Sequence, residues 1–209
     1  MRQLYDYHRS SAAYRVRIAL RLKNLPYESI PIALLEDAQR SSEYIKKNPQ
    51  GLVPTLVEHG VTLTQSLAIC EYLNEVYPTP PLMPNDAIGK AQVRALAHSI
   101  ACDIHPLNNL RVLRQLEVQF NATAEQKDSW YRHWINIGFT AFEQQIQSTH
   151  GAFCYQDTPS LADICLVPQV YNARRFNVDM AAYPTIVAIE QQCLTLDAFL
   201  QTSPDHVQP

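Results

Sequence analysis

Three features that would define other classes of protein are missing from this sequence. The five cysteines form no CxxC pair, so neither a disulfide framework nor a zinc site is indicated, and we expect reduced thiols and no bound metal. No apolar run is long enough to span a bilayer, and no early apolar segment precedes a cleavage site. The formal net charge of −3 argues against a polyanionic partner. The sequence therefore predicts a cytoplasmic protein that binds neither nucleic acid nor a membrane.

The sequence has the composition of an ordinary globular protein, and one proline-rich stretch divides the chain. The 209 residues are 46% hydrophobic and 18% charged, which is enough mass for one large domain or two small ones. Residues 77–84 contain four of the fourteen prolines and cannot form a helix. We therefore predict a first domain over residues 1–78, a linker over 79–86 and a second domain over 87–209.

The first eighty residues alternate between strand and helix patterns. Period-two runs predict strands, and apolar residues at helical spacing predict helices. The predicted elements are strand 3–7, helix 11–23, strand 27–32, a weaker helix 41–47, strands 53–58 and 61–64 joined at His59-Gly60, and helix 67–76. The order β-α-β-α-β-β-α predicts an α/β domain in which a mixed sheet carries helices.

The second domain has helical periodicity almost throughout. Residues 87–119 form one helix or two, with Pro106 as the kink or break. Residues 124–147 and 185–200 form two more, and Ser160 and Asp163 form a structural capping box at the start of another. The end of the chain, 202–209, is expected to fray. The prediction is an all-helical domain.

Four apolar residues on the helix over 124–147 share one side. They are Trp130, Trp134, Ile137 and Ala141. A stripe of this kind is more often part of a core than a platform for a ligand. We therefore predict that this side of the helix faces the interior.

The stretch from Arg9 to Leu20 contains the strongest candidate for a functional site. Ser10 and Ser11 stand where the N-cap of the first helix belongs, and a serine oxygen there accepts a bond from an unpaired backbone N–H. The free N–H groups and the dipole at a helix N-terminus also stabilise an anion, such as a phosphate, a carboxylate or a thiolate. From the residues alone, two interpretations remain open, an anion site and a simple helix cap.

Several sequence motifs follow one another along nearly the whole chain. Ser10 to Leu20 have the pattern Ser-Ser-x-x-x-Arg-Val-Arg-Ile-Ala-Leu. The further motifs are Asn48-Pro49, Val53-Pro54-Thr55-Leu56, Gln65-Ser66-Leu67-Ala68-Ile69, Leu166-Val167-Pro168-Gln169-Val170 and Arg175-Phe176. Together they resemble the zeta class of the cytosolic glutathione transferases, which includes maleylacetoacetate and maleylpyruvate isomerases. Ala12 and Ala13 depart from the family's usual Cys-Ser, so a thiol near the site is missing.

The resemblance implies a thioredoxin-like first domain that binds glutathione, and a homodimer. Gln65 and Ser66 would hold the γ-glutamyl carboxylate, and the backbone of Val53 would pair with the cysteinyl part beside a cis bond to Pro54. The remaining positions implied to contact glutathione are Ser10, Gln39, His105 and Asn109. Arg15 and Arg17 would serve either the structure or the γ-glutamyl end.

The resemblance also implies a reaction. Ser10, with Ser11 as a second donor or a cap, would stabilise the glutathione thiolate that isomerises a maleyl-keto dicarboxylic acid. The two carboxylates of such a substrate call for cations, and Arg9, Arg111 and Arg175 are the candidates, whereas Arg174 is expected at the surface. Maleylacetoacetate is the first candidate substrate and maleylpyruvate the second. A general conjugating transferase and a non-catalytic glutathione-binding protein are the alternatives.

Overall fold

The chain divides into two compact units in the computed structural model, which describes residues 1–207. The first unit contains residues 1–82 and the C-terminal segment from Leu194 onward, and the second contains residues 83–193. The break after residue 82 lies inside the predicted linker. The C-terminal segment, however, packs with the first unit, although the sequence placed all of 87–209 in the second domain. None of the helices among residues 1–207 has the length and apolarity that crossing a membrane requires.

The first unit contains a four-stranded mixed sheet, as predicted. Its strands are β1 (Gln3–Asp6), β2 (Glu28–Pro31), β3 (Thr55–Glu58) and β4 (Val61–Thr64), in the spatial order β2-β1-β3-β4. β1 pairs parallel with β2 and antiparallel with β3, and β3 pairs antiparallel with β4. In the turn between β3 and β4, His59 and Gly60 both have positive φ, 51° and 79°, as two-residue hairpins require.

The helices follow the predicted order, with the exceptions described below. They are α1 (Ser11–Leu22), α2 (Ser42–Lys47), α3 (Ser66–Val76), α4 (Ala87–His98), α5 (Leu110–Phe120), α6 (Ala124–Ile146), α7 (Leu161–Arg175), α8 (Pro184–Leu194) and α9 (Asp197–Leu200). In the first unit α1 packs on α3 and on α9. Leu4 of β1, Leu20 of α1 and Leu73 of α3 are fully buried in its core.

The C-terminal segment is held to α1 by two hydrogen bonds. The buried Tyr14 hydroxyl donates to the Phe199 carbonyl at 2.6 Å, and Nε of Arg17 donates to the Thr202 carbonyl at 3.0 Å. Thr202 and Ser203 are therefore buried, and the prediction that the chain frays from residue 202 is wrong for them. Gln208 and Pro209, which the same prediction covers, lie outside the described residues.

The segment 87–119 forms two helices with an irregular connection at Pro106. A π-helical segment, Ser99–Ile104, and a 3-10 turn, His105–Asn108, separate α4 from α5. Proline lacks the N–H that a continuous helix needs, so the regular pattern ends there. Gly138 of α6 accommodates this segment, because a Cβ at Gly138 would lie 2.2 Å from Cδ1 of Ile104.

The prediction of which side of α6 is buried is wrong. Ile137 is 51% exposed, Ala141 is exposed, and Trp130 and Trp134 are only half-buried. The buried residues of α6 are Tyr131, Ile135, Phe139, Phe142 and Ile146. The true stripe is displaced from the predicted one by about one residue, a rotation of about 100° around the helix axis.

The capping box of α7 is confirmed. Asp163 is fully buried and accepts bonds from the backbone N–H of Cys154 at 2.7 Å and of Ser160 at 2.8 Å. Ser160 in turn caps the first turn. The single helix predicted over 185–200 is instead two helices, α8 and α9, and the break between them follows Leu194, one residue after the end of the second unit.

Candidate active site

Ser10 is the N-cap residue of α1, as the sequence predicts. Its backbone is extended, and its Oγ accepts the N–H of Ala13 at 3.2 Å. Within residues 1–207 the hydroxyl proton of Ser10 has no acceptor, and the side chain is half-buried. One oxygen can therefore cap the helix and still donate to an anion, so the two interpretations of this serine are compatible. Ser11 is buried in the first turn of α1.

Arg15 and Ser66 join the starts of α1 and α3. Nη1 of Arg15 donates to Oγ of Ser66 at 3.3 Å, and the arginine is only 2% exposed. Its Nε and Nη2 are buried without a hydrogen-bond partner among residues 1–207. An uncompensated buried guanidinium is costly, and the N-terminus of α3 adds further positive potential. This end of α3 is therefore suited to an anion.

Gln65 precedes α3 in an unusual backbone conformation. Its φ of 68° and ψ of 112° lie outside the regions that a side-chain-bearing residue normally adopts, at a cost of about 1–3 kcal/mol. Its Nε2 donates to Oε1 of Gln50 at 2.7 Å. Backbone strain of this kind is concentrated at functional sites, where the conformation serves to place a group for binding.

Gln39 and Val53 offer further unused polar groups in the first unit. Oε1 of Gln39 is buried without a partner among residues 1–207, while Nε2 donates to Asp37 at 3.0 Å. The side chain of Val53 packs with Tyr5 and Tyr44, and its backbone forms no hydrogen bond within residues 1–207. The bond from Val53 to Pro54 is cis, as expected.

The remaining predicted contacts belong to the second unit. His105 lies in the 3-10 turn after the π-helical segment. Asn109 is the N-cap of α5, and its Oδ1 accepts the backbone N–H of Arg111 at 3.1 Å, which brings these two predicted residues together. Arg175 is the last residue of α7, and its Cζ lies 4.9 Å from the centre of the Phe176 ring.

The three arginines predicted to bind substrate carry unpaired charges. Arg9, Arg111 and Arg175 form no salt bridge within residues 1–207. Two neighbouring arginines differ, since Arg17 binds Asp6 at 2.7 Å and Arg174 binds Glu190. Their ion pairs make these two arginines structural, and Arg174 is exposed, as expected.

His8 adds little positive charge beside Arg9 in the first unit. Burial lowers the pKa of its imidazole, and the charges of Arg9 and Arg17 lower it further. Within residues 1–207, no three His, Cys, Asp or Glu residues are placed to share a metal ion.

The structure also shows two features that sequence reasoning missed. The first is that Arg15 is buried with two nitrogens that have no partner in the described part of the chain, which no local pattern indicates. The second is the stacking of Phe176 on Tyr131. Phe176 was noted only as part of a family motif, and Tyr131 was not among the residues of α6 predicted to face the interior.

Comparison with known proteins agrees with this fold. Residues 4–81 match the family model described as the glutathione S-transferase N-terminal domain. A probable maleylacetoacetate isomerase of Vibrio cholerae serotype O1 is 48% identical over 97% of this chain and 95% of its own length. The chain belongs to the zeta class of the glutathione transferase family.

Two solved structures of this class are particularly similar. The holo structure of a bacterial zeta-class maleylpyruvate isomerase has a TM-score of 0.95 and 44% identity, covering 99% of this chain and 98% of the other. Maleylacetoacetate isomerase from Methylobacterium extorquens AM1, solved with bound malonate and glutathione, has a TM-score of 0.96 and 37% identity, with the same coverage. The thioredoxin-like first domain predicted from the resemblance is confirmed.

Proposed function

We propose that the protein is a glutathione-dependent cis–trans isomerase of a maleyl-keto dicarboxylic acid. The observation that carries the proposal is Ser10, which caps α1 and keeps a hydroxyl proton to donate at the positive end of the helix. Maleylacetoacetate is the leading substrate because the V. cholerae relative is named for it, and maleylpyruvate is the second candidate. We also propose that the protein acts as a homodimer in the cytoplasm.

Unused hydrogen-bonding groups in the first unit fit a bound glutathione. Ser66 suits the γ-glutamyl carboxylate, because it is the first residue of α3 and its Oγ accepts a bond from Arg15. Gln65 is the second group that we assign to this carboxylate. The unpaired backbone of Val53 suits a peptide group. Gln39 offers a buried acceptor that has no partner among residues 1–207. We assign His105 and Asn109 of the second unit to the remaining contacts.

The chemistry requires a thiolate, and Ser10 is the residue that we assign to its stabilisation. Glutathione, when bound, supplies a sulfur nucleophile that adds reversibly to the conjugated cis double bond of the substrate. Lowering a thiol pKa by about two units requires about 2.7 kcal/mol of preference for the anion. A charge-assisted bond from Ser10, about 1.5–3 kcal/mol, and a helix-dipole contribution, about 0.3–1 kcal/mol, together suffice. Ser11 is a second candidate donor.

Three guanidinium groups without a salt bridge within residues 1–207 are the reason that we propose a dicarboxylic acid as the substrate. Arg9, Arg111 and Arg175 carry no internal counter-ion within residues 1–207, and arginine binds carboxylates with two parallel bonds. Three such cations favour an isomerase of diacids over a transferase for apolar electrophiles. The presence of Ser10 at the N-cap of α1, together with Gln65 and Ser66, likewise favours an enzyme over a non-catalytic glutathione-fold binding or scaffold protein.

An ultraviolet assay of both maleyl acids, with and without glutathione, tests the proposal. We expect glutathione-dependent isomerisation, a Ser10→Ala variant with turnover lowered about 10- to 100-fold, and an Arg175→Ala variant with a raised KM for the diacid. Ser148→Ala, at an exposed serine, is the control. The activation scheme fails if Ser10→Ala leaves both the thiol ionisation and the turnover unchanged. Conjugation of neutral electrophiles without isomerisation would favour the transferase.

A further inference from the structure

Two stacked aromatic rings, those of Tyr131 and Phe176, lie next to the guanidinium of Arg175 in the second unit. The ring of Phe176 stacks on the ring of Tyr131 with centres 3.6 Å apart and planes 9° from parallel. The guanidinium carbon of Arg175 lies 4.9 Å from the centre of the Phe176 ring, which is within the range of a cation–π interaction. The cation, the first ring and the second ring thus form a continuous series of contacts.

The pair is fixed from several sides. Tyr131 is buried on α6, and its backbone carbonyl accepts Nδ2 of Asn108 at 3.3 Å. The carbonyl of Phe176 accepts Nη1 of Arg132 at 3.4 Å, and its N–H donates to Asn172 at the end of α7. The Tyr131–Phe176 pair is therefore held by α6 and α7 together, and its position does not depend on the exposed side chain of Arg175.

The neighbouring arginine shows that this arrangement is not simply charge pairing. Arg174 forms a salt bridge with Glu190. Arg175 forms no salt bridge with any carboxylate within residues 1–207, and its guanidinium contacts the ring of Phe176 instead. We propose that the Tyr131–Phe176 pair is a positioning platform that holds the guanidinium of Arg175 ready for a carboxylate of the diacid. This inference rests on the proposed function for the identity of the ligand.

Preorganisation is the physical reason for such a platform. An exposed arginine has many rotamers and loses that freedom when it binds a carboxylate. A ring face that already holds the guanidinium reduces the loss on binding. Phe176 and Tyr131 would act through Arg175 only, so they should change the affinity for the diacid without changing the affinity for glutathione or the chemical step.

The test compares Phe176→Leu with wild-type protein. We expect KM for the maleyl diacid to rise about two- to five-fold, the equivalent of about 0.5–1 kcal/mol of cation–π interaction, with kcat and the KM for glutathione unchanged. Calorimetric titration with malonate should show the same fold-change in Kd. Phe176→Tyr should restore both constants, and Phe120→Leu, at an exposed phenylalanine of α5, is the matched control.

The outcomes separate this inference from the proposed function. If Arg175→Ala weakens malonate binding and Phe176→Leu does not, the platform is refuted, and an unchanged Kd in Arg175→Ala refutes it as well. Wild-type protein that binds malonate through Arg175 and Phe176 but isomerises neither maleyl acid would refute the proposed function alone. Circular dichroism checks the fold, and Phe176→Met, with the same expected shift, replaces the leucine variant if that variant does not fold.

Discussion

Arg15 has a costly environment for a charged side chain. It is almost completely buried, it donates one bond to Ser66, and two of its nitrogens have no partner among residues 1–207. Replacing a poorly compensated buried charge by an apolar residue often stabilises a protein. An anion at the start of α3, which we propose to be the γ-glutamyl carboxylate, would give this charge the counter-ion that it lacks within residues 1–207.

Arg15→Met should separate stability from binding. We expect the melting temperature to stay the same or rise, because the desolvated charge is gone. We expect glutathione to bind about 10- to 100-fold more weakly, because Ser66 loses its charged support. Calorimetry of unfolding and of glutathione binding measures both effects. Arg21→Met, at an exposed position on the same helix, is the control. Unchanged glutathione affinity would contradict the assignment.

At the scale of elements, the irregular connection between α4 and α5 depends on a glycine in a neighbouring helix. Gly138 lies inside α6, where alanine would be intrinsically preferred by about 1 kcal/mol. The side chain of Ile104, at the end of the π-helical segment, occupies the space that a Cβ would need. Close packing therefore outweighs helix propensity at this position.

Gly138→Ala should therefore destabilise the protein in spite of the better helix former. We expect a loss of about 1–3 kcal/mol in the free energy of unfolding, the usual cost of overpacking. In an Ile104→Ala background the same change should become neutral or stabilising, because the clash is removed. Urea denaturation of the four proteins measures the coupling. Additive effects in the double variant would show that Ile104 is not the cause.

The elements differ in how far the sequence determined them. Strand alternation and the Ser160–Asp163 capping box are local signals, and the mixed sheet and the start of α7 were predicted from them. The face of α6 was not, because its side chains include apolar residues on both faces, and only tertiary packing selects Tyr131 over Trp130. The π-helical segment also depends on a neighbour, Gly138, that no local pattern reveals.

At the scale of the whole molecule, the C-terminal segment is part of the first unit. It provides acceptors for two buried donors of α1, the Tyr14 hydroxyl and Nε of Arg17. Arg17 also binds Asp6 of β1, so the same guanidinium connects the sheet, α1 and the C-terminal segment. The first unit is therefore incomplete without residues that follow the second one.

Deletion of residues 197–209 should weaken the first unit. Two buried donors lose their acceptors, at about 1–3 kcal/mol each, so we expect the free energy of unfolding to fall by about 3 kcal/mol or more. Glutathione affinity should fall as well, because α1 carries Ser10. Thr202→Ala keeps the backbone carbonyl that Arg17 uses and should cost no more than about 1 kcal/mol. Equal effects of the two changes would show that the carbonyl bonds are unimportant.

The candidate site was predictable from sequence only in part. The N-cap role of Ser10 followed from local chemistry, whereas the roles that we propose for Gln39, Val53, Gln65 and Ser66 rest on the family resemblance. The unpaired nitrogens of Arg15 and the stacking of Phe176 on Tyr131 are consequences of tertiary packing between residues that are distant in sequence. Periodicity reports only which residues share a face of one element, so it gives no indication of either feature.

The position of the C-terminal segment in the first unit has a consequence for the synthesis of the protein. A ribosome makes residues 1–82 well before residues 197–203, so Tyr14 and Arg17 lack their final acceptors until the second unit has also been made. The glutathione-binding fold then reaches full stability only after the whole of the second unit has been translated. Truncated products of translation or proteolysis should consequently be recognised by quality-control proteases, and the finished enzyme should resist them.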